Sequence, residues 1–188
     1  MTLQLKRCIN LLETKMTTYA GIGSRETPPD VLVQIEELAG DLAQCGIILR
    51  SGGAPGADTS FEWGCTVMGG TSEIYLPWKN FQKNKSHLYP PTDMAYEIAS
   101  KYHPRWFGLS VAAKKLMARN THQILGQDCK TPSDFVICWT PDGATGETTT
   151  KTGGTGQAIR IAADLGIPVF NLKNEGTLDE ILNFVRSL

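Results

Sequence analysis

The sequence predicts an α/β fold: one Rossmann-like domain of three layers, α/β/α, in which a doubly wound parallel sheet lies between helices. Three observations carry that expectation. Five short apolar runs alternate with stretches of helical spacing along the 188 residues. Glycine-rich loops follow the first, second and fourth of those runs. The strand–helix–strand repeat, with right-handed crossovers, produces a parallel sheet covered on both faces.

Taken in order, "TYAGI" (18–22) reads as the first strand, ended by Gly23. In "TPPDVLVQIEELAGDLAQCG", Thr27 stands as an N-cap, Pro28 at the first helical position and Asp30 at capping-box spacing. Val31, Ile35, Leu38 and Leu42 recur at intervals of three or four, so one face of this helix is buried, and Gly46 ends it. "IILR" (47–50) is the second strand. Residues 57–68 form a helix with Ala57, Phe61, Cys65 and Met68 on one side, and "EIYLP" (73–77) is the third strand. Residues 78–108 are irregular and rich in Pro and aromatics, with a short helix at 93–101. A helix at about 109–125 keeps Leu109, Ala113, Leu116 and Ile124 in phase. "DFVICW" (134–139) is the fourth strand, and a loop of Gly, Thr and Pro runs from 140 to 153. Helix 155–165, strand "IPVFNL" (167–172) and helix 178–187, capped by Thr177 with Glu180 three residues on, complete the chain. Residues 1–17 read as an added arm or short helix before the domain at 18–188.

The formal net charge of −1 predicts no overall pull toward nucleic acid or membrane, but it hides a local excess. Residues 78–119 carry 8 Lys and Arg against 2 Asp and Glu, a run of +6 that is either a solvated face or a contact for an anionic ligand. The five cysteines are odd in number and contain no C-x-x-C pair, which points to a reducing cytoplasm and no zinc. The three histidines lack ligand spacing, so neither a metal nor a resident cofactor is expected. No apolar run approaches the ~20 residues of a membrane span, and the N-terminus lacks a signal-peptide core.

"GIGSRE" after the first strand, "SGGAPGAD" (51–58) after the second and "KTGGTGQA" after the fourth all project from one edge of the predicted sheet. Helix N-termini present unpaired N–H groups with partial positive charge, and glycine lets a phosphate approach them. Any one loop is readily a tight turn; the three together favour a phosphate-bearing ligand. Neither G-x-x-x-x-G-K-[ST] nor G-x-G-x-x-G with its following acidic residue occurs, which argues against a P-loop NTPase or an ordinary dinucleotide oxidoreductase.

"GIGSRE", "SGGAPGAD", "LMARN" (116–120), "SDFVICW" and "GGTGQAIRIAADLGIPVFNL" resemble the SLOG superfamily, which unites DNA-processing protein A with the LOG enzymes. The resemblance covers roughly residues 18–172 and is nearest the DNA-processing-protein-A branch, where "RNTHQILG" and "TGGTGQAIRIA" stand close to that branch's patterns. It implies a Rossmann-like domain that binds nucleotides or nucleic acid, often as a homo-oligomer. The LOG enzymes cleave the N-glycosidic bond of nucleoside 5′-monophosphates. Their proline, threonine and catalytic glutamate are replaced here by Thr152, Gln157 and Arg160. Arg160 has no acceptor and does not deprotonate, leaving Glu147, Glu62 and Arg119 as catalytic candidates.

The candidate ligand residues are therefore Gly23, Ser24 and Arg25; Ser51, Gly52, Gly53, Gly56 and Asp58; Arg119 and Asn120; and Gly153, Gly154, Thr155 and Gly156. Arg25 and Arg119 suit phosphate because a guanidinium grips it bidentately. Asp58 suits a ribose hydroxyl or the cap of its own helix. Trp139 either stacks on a base or is core. "WKNFQKNK" and "KYHPRW", within 78–119, interleave cations with aromatics and suit single-stranded DNA. Three functions are open: a nucleotide-binding module, a nucleotide N-glycosidase and a DNA-processing partner. Gly53→Val and Arg25→Ala are expected to abolish binding with little loss of folding.

Overall fold

The computed structural model describes residues 16–188, so all but the last two residues of the expected arm lie outside it. Strands β1 (Thr18–Gly23), β2 (Ile48–Ser51), β3 (Ser72–Ile74), β4 (Phe135–Trp139) and β5 (Val169–Asn171) form a parallel sheet in the order β3-β2-β1-β4-β5. The helices are α1 (Pro29–Gln44), α2 (Ala57–Val67), α3 (Asp93–Tyr102), α4 (Val111–Leu125), α5 (Thr155–Asp164) and α6 (Thr177–Ser187). From β1 the chain builds outward through β2 and β3, then returns to place β4 on the other side of β1. Loops leaving β1 and β4 diverge there, and the crevice between them lies beyond the carboxyl ends of the strands.

Both faces of the sheet are covered, so β2 and β4 are buried at every residue. Alternation along β1 divides the core. Tyr19 joins Leu49, Phe135 and Ile137 against α1, α2 and α6, whereas Ala20 and Ile22 join Val136 and Cys138 against α4 and α5. Gly21 lacks a side chain because the Phe61 ring of α2 occupies its place, 2.6 Å from where a Cβ would stand. The same logic joins the first two helices: a Cβ on Gly64 would meet the Glu36 carbonyl of α1, so glycine lets α1 and α2 cross backbone against backbone.

The structure corrects several local expectations. Pro28, not Thr27, occupies the N-cap of α1, and no side chain caps that end; the Thr27 hydroxyl donates instead to the Ser24 carbonyl at 2.8 Å. Thr177 is the first residue of α6 behind Gly176, and its hydroxyl donates to the Asn171 and Asn174 carbonyls. Strand β3 stops at Ile74, after which the chain pairs with the irregular segment, Leu76 N–H donating to the Leu88 carbonyl at 2.9 Å. Helix α4 begins later than expected because Ser110 caps it, accepting from Ala113 N–H. Met68 is 47% exposed rather than core.

Candidate functional site

Beyond β1 and β4 opens a cleft of about 430 Å3. One wall is Ile22–Glu26, the continuation of β1. The opposite wall is Lys151–Thr155, the turn that opens α5. Leu116, Met117, Arg119, Asn120 and Gln123 of α4, with Ala54, Asp58, Pro141 and Ala158, complete the lining. The structure thus brings together Gly23, Ser24, Arg25, Asp58, Arg119, Asn120, Gly153, Gly154 and Thr155 from the sequence candidates. Ser51, Gly52, Gly53, Gly56 and Gly156 stand behind the walls. Glu62 and Glu147 are also outside the lining. Glu147 is exposed on the 140–153 loop.

The close approach that "SGGAPGAD" demands is made by the protein itself. A Cβ on Gly52 would fall on the Arg119 guanidinium, and one on Gly56 would stand 2.7 Å from the Ser24 carbonyl oxygen. Gly53 has φ +66°, where side chains are strained. Its N–H donates to Glu62 Oε1 at 2.8 Å, and Ala54 N–H to Asp58 Oδ2 at 3.4 Å. Carboxylates of α2 thus already occupy the N–H groups of Gly53 and Ala54.

The α5 turn is different. No side chain caps the helix, Gly153 has φ +66°, and a Cβ there would meet nothing within 4 Å. Exposed Lys151 begins the same wall, and exposed Arg25 stands on the wall opposite. Two tethers set its position. Asn120 Nδ2 donates to the Gly154 carbonyl at 3.1 Å. Asp142 accepts from the Thr149 and Thr152 hydroxyls at 2.6 Å each. Burial opposes ionisation of Asp142, but the hydroxyls of Thr149, Thr152 and Thr140 outweigh it and hold its pKa down to about 2.

Arg119, expected as a phosphate ligand, is 5% exposed. Its Nη1 donates to Asp58 Oδ2 and to Gln123 Oε1, each at 3.0 Å. Burial pushes the Asp58 carboxyl above the usual range against the pull of Arg119. Burial, with the charge of Asp58 adding to it, raises Glu62 to about 7. Trp139 is core at 6% exposed, as is Phe81 of "WKNFQKNK" at 5%, whereas Lys79, Lys83 and Lys85 are exposed. Arg160 braces α5, donating to the Tyr102 carbonyl at 2.7 Å and to the Thr148 hydroxyl.

Sequence reasoning passed over Lys151 and Gln123. The signal for Gln123 was its place one turn beyond Arg119 on α4; Lys151 sits in a Thr-rich loop that gives no such phase.

Strand order, glycine turns and cleft together define a Rossmann-like α/β domain open at its topological switch point. No protein-family model matches the chain, and no curated protein matches it. Among solved structures it is similar in fold to DNA processing protein A from Helicobacter pylori, described for its single-stranded DNA binding mode. That likeness has a TM-score of 0.53 and 21% identity over 91% of this chain and 74% of that one. It is similar also to the Moco carrier protein of Chlamydomonas reinhardtii, with a TM-score of 0.51 and 18% identity over 92% and 86% of the two chains. The Rossmann-like α/β fold that the sequence resemblance implied is the fold observed.

Proposed function

We propose that the cleft binds a nucleotide or nucleotide-derived ligand, seating a phosphate on the α5 turn between Arg25 and Lys151. The observation that carries this reading is the uncapped start of α5, which lines a cleft at the switch point with two exposed cations beside it. Such a helix end offers N–H groups and partial positive charge to an anion. Ile22, Met117, Leu116 and Pro141 supply apolar wall for the remainder of the ligand. A small-molecule carrier and a nucleic-acid-binding protein stand among its neighbours in fold.

Holding the ligand is favoured over hydrolysing it. Glu62 is engaged by Gly53 and Asn84, Glu147 is exposed on its loop, and the one buried carboxylate in the lining, Asp58, is tied to Arg119. Single-stranded DNA is the second reading, supported by exposed Lys79, Lys83 and Lys85 and by Phe107, which is 97% exposed.

Thermal-shift titration with nucleoside monophosphates and short oligonucleotides, each mixture weighed afterwards for breakdown, tests the reading. An intact mononucleotide that raises the melting temperature of the protein, and raises that of Arg25→Ala by less at the same concentration, is the expected result. A shift with oligonucleotides alone would move the function to residues 78–119, and release of a free base would restore the hydrolase.

A further inference from the structure

Arg119 is anchored at one nitrogen only. Nη1 takes both Asp58 and Gln123, while Nε is buried with no partner and Nη2 makes no hydrogen bond among the described residues. Nε and Nη2 form the side of a guanidinium whose two N–H groups point in parallel, the geometry that grips a pair of adjacent acceptors. Beside it, the Gln123 amide has no freedom of orientation. A guanidinium only donates, so Oε1 must face Arg119 and Nε2 is turned away from it. That Nε2 is likewise buried without a partner. Gln123 is 2% exposed and, with Arg119, lines the cleft. A buried donor left unmade costs about 1–3 kcal/mol, and these orphan donors belong to two neighbouring residues that line the cleft, so an acceptor brought in beside them would satisfy them.

The charge of Arg119 is already balanced by Asp58, and Glu62 stands close enough to Asp58 for the two to repel. A second anion would crowd carboxylates; an uncharged pair of acceptors would not. Glycine at 52 is what makes room for the guanidinium, which lies where a Gly52 side chain would be.

We infer that the Nε/Nη2 edge of Arg119, with Gln123 Nε2 beside it, reads the base of the ligand and selects a 6-oxopurine, whose ring carbonyl and N7 present two acceptors side by side. Adenine offers a donor at the first of these positions and is refused. A side-chain adjustment at the floor admits the ring edge. The inference rests on the nucleotide reading above and names the base for that same cleft.

Calorimetric titration with GMP, IMP, AMP and 7-deaza-GMP tests it. GMP and IMP should bind roughly tenfold or more tightly than AMP, and 7-deaza-GMP, which lacks the N7 acceptor, should fall toward AMP. Arg119→Lys keeps the charge beside Asp58 but loses the fork, so the preference for GMP over AMP should collapse; Arg25→Ala should weaken every nucleotide alike and leave the ratio unchanged. The comparison with 7-deaza-GMP needs no variant and stands even where Arg119→Lys does not fold. Equal affinity for GMP and AMP overturns the base assignment while keeping the phosphate site; no binding by any of the four overturns both.

Discussion

Arg25 and Arg119 both read as phosphate ligands in the sequence, yet their surroundings separate them. Arg25 is exposed on the cleft wall, whereas Arg119 is buried, with Nη1 given to Asp58 and Gln123. Replacing Arg25 with Ala should therefore lower affinity for a phosphate-bearing ligand about tenfold, the effect of losing one charge-assisted contact of ~1.4 kcal/mol, with an unchanged melting temperature. Gly53→Val, paired with it from sequence alone, belongs elsewhere. At φ +66°, with Leu76 3.0 Å from the new Cβ, it should cost stability by about 1–3 kcal/mol in denaturant titration.

Glu62 supplies a pH signature. Its pKa rises from 4.5 unfolded to about 7 folded, so between these values the folded chain holds a proton that the unfolded chain releases. Stability should fall as pH climbs through that window and remain lower above it. Glu62→Gln should flatten the fall and gain about 1 kcal/mol at pH 8, read from melting curves across pH. A variant with the same pH slope as the parent would remove Glu62 as its source.

Among the elements, the loop between β4 and α5 depends on Asp142. Its carboxylate gathers Thr149 and Thr152 around the turn that carries Lys151 and Gly153. Asp142→Ala should speed amide exchange over 144–155 and weaken ligand binding, at a cost of about 1–2 kcal/mol. Unchanged exchange there would mean the loop is held otherwise. The α1–α2 crossing makes the opposite demand: Gly64→Ala forces the helices apart and should cost about 1–3 kcal/mol with no selective loss of binding, seen by comparing denaturation midpoint with affinity.

Across the whole molecule, what the sequence made legible is what local spacing controls. Helical phase found α1 through Ile35, Leu38 and Leu42, and five apolar runs found the sheet. Caps were less legible because Thr27 and Thr177 turn their hydroxyls to loop carbonyls, a choice made by tertiary position. The candidate site was legible as glycine turns at one sheet edge. Which turn faces the cleft was not, since Gly52 and Gly56 answer to Arg119 and to the Ser24–Arg25 backbone, contacts that chain order does not display. The cationic stretch divides in the same way, Phe81 going to the core and Lys79, Lys83 and Lys85 to the surface. No helix among the described residues is long and apolar enough to cross a membrane.

The central claim is the seat of a phosphate-bearing nucleotide at the switch point between β1 and β4, and amide shift mapping by NMR during titration with GMP tests it most directly. The account predicts saturable shifts at Gly23–Glu26 and Lys151–Thr155, with smaller ones around Arg119 and Gln123. Shifts confined to 78–108, or none with any mononucleotide, would contradict it.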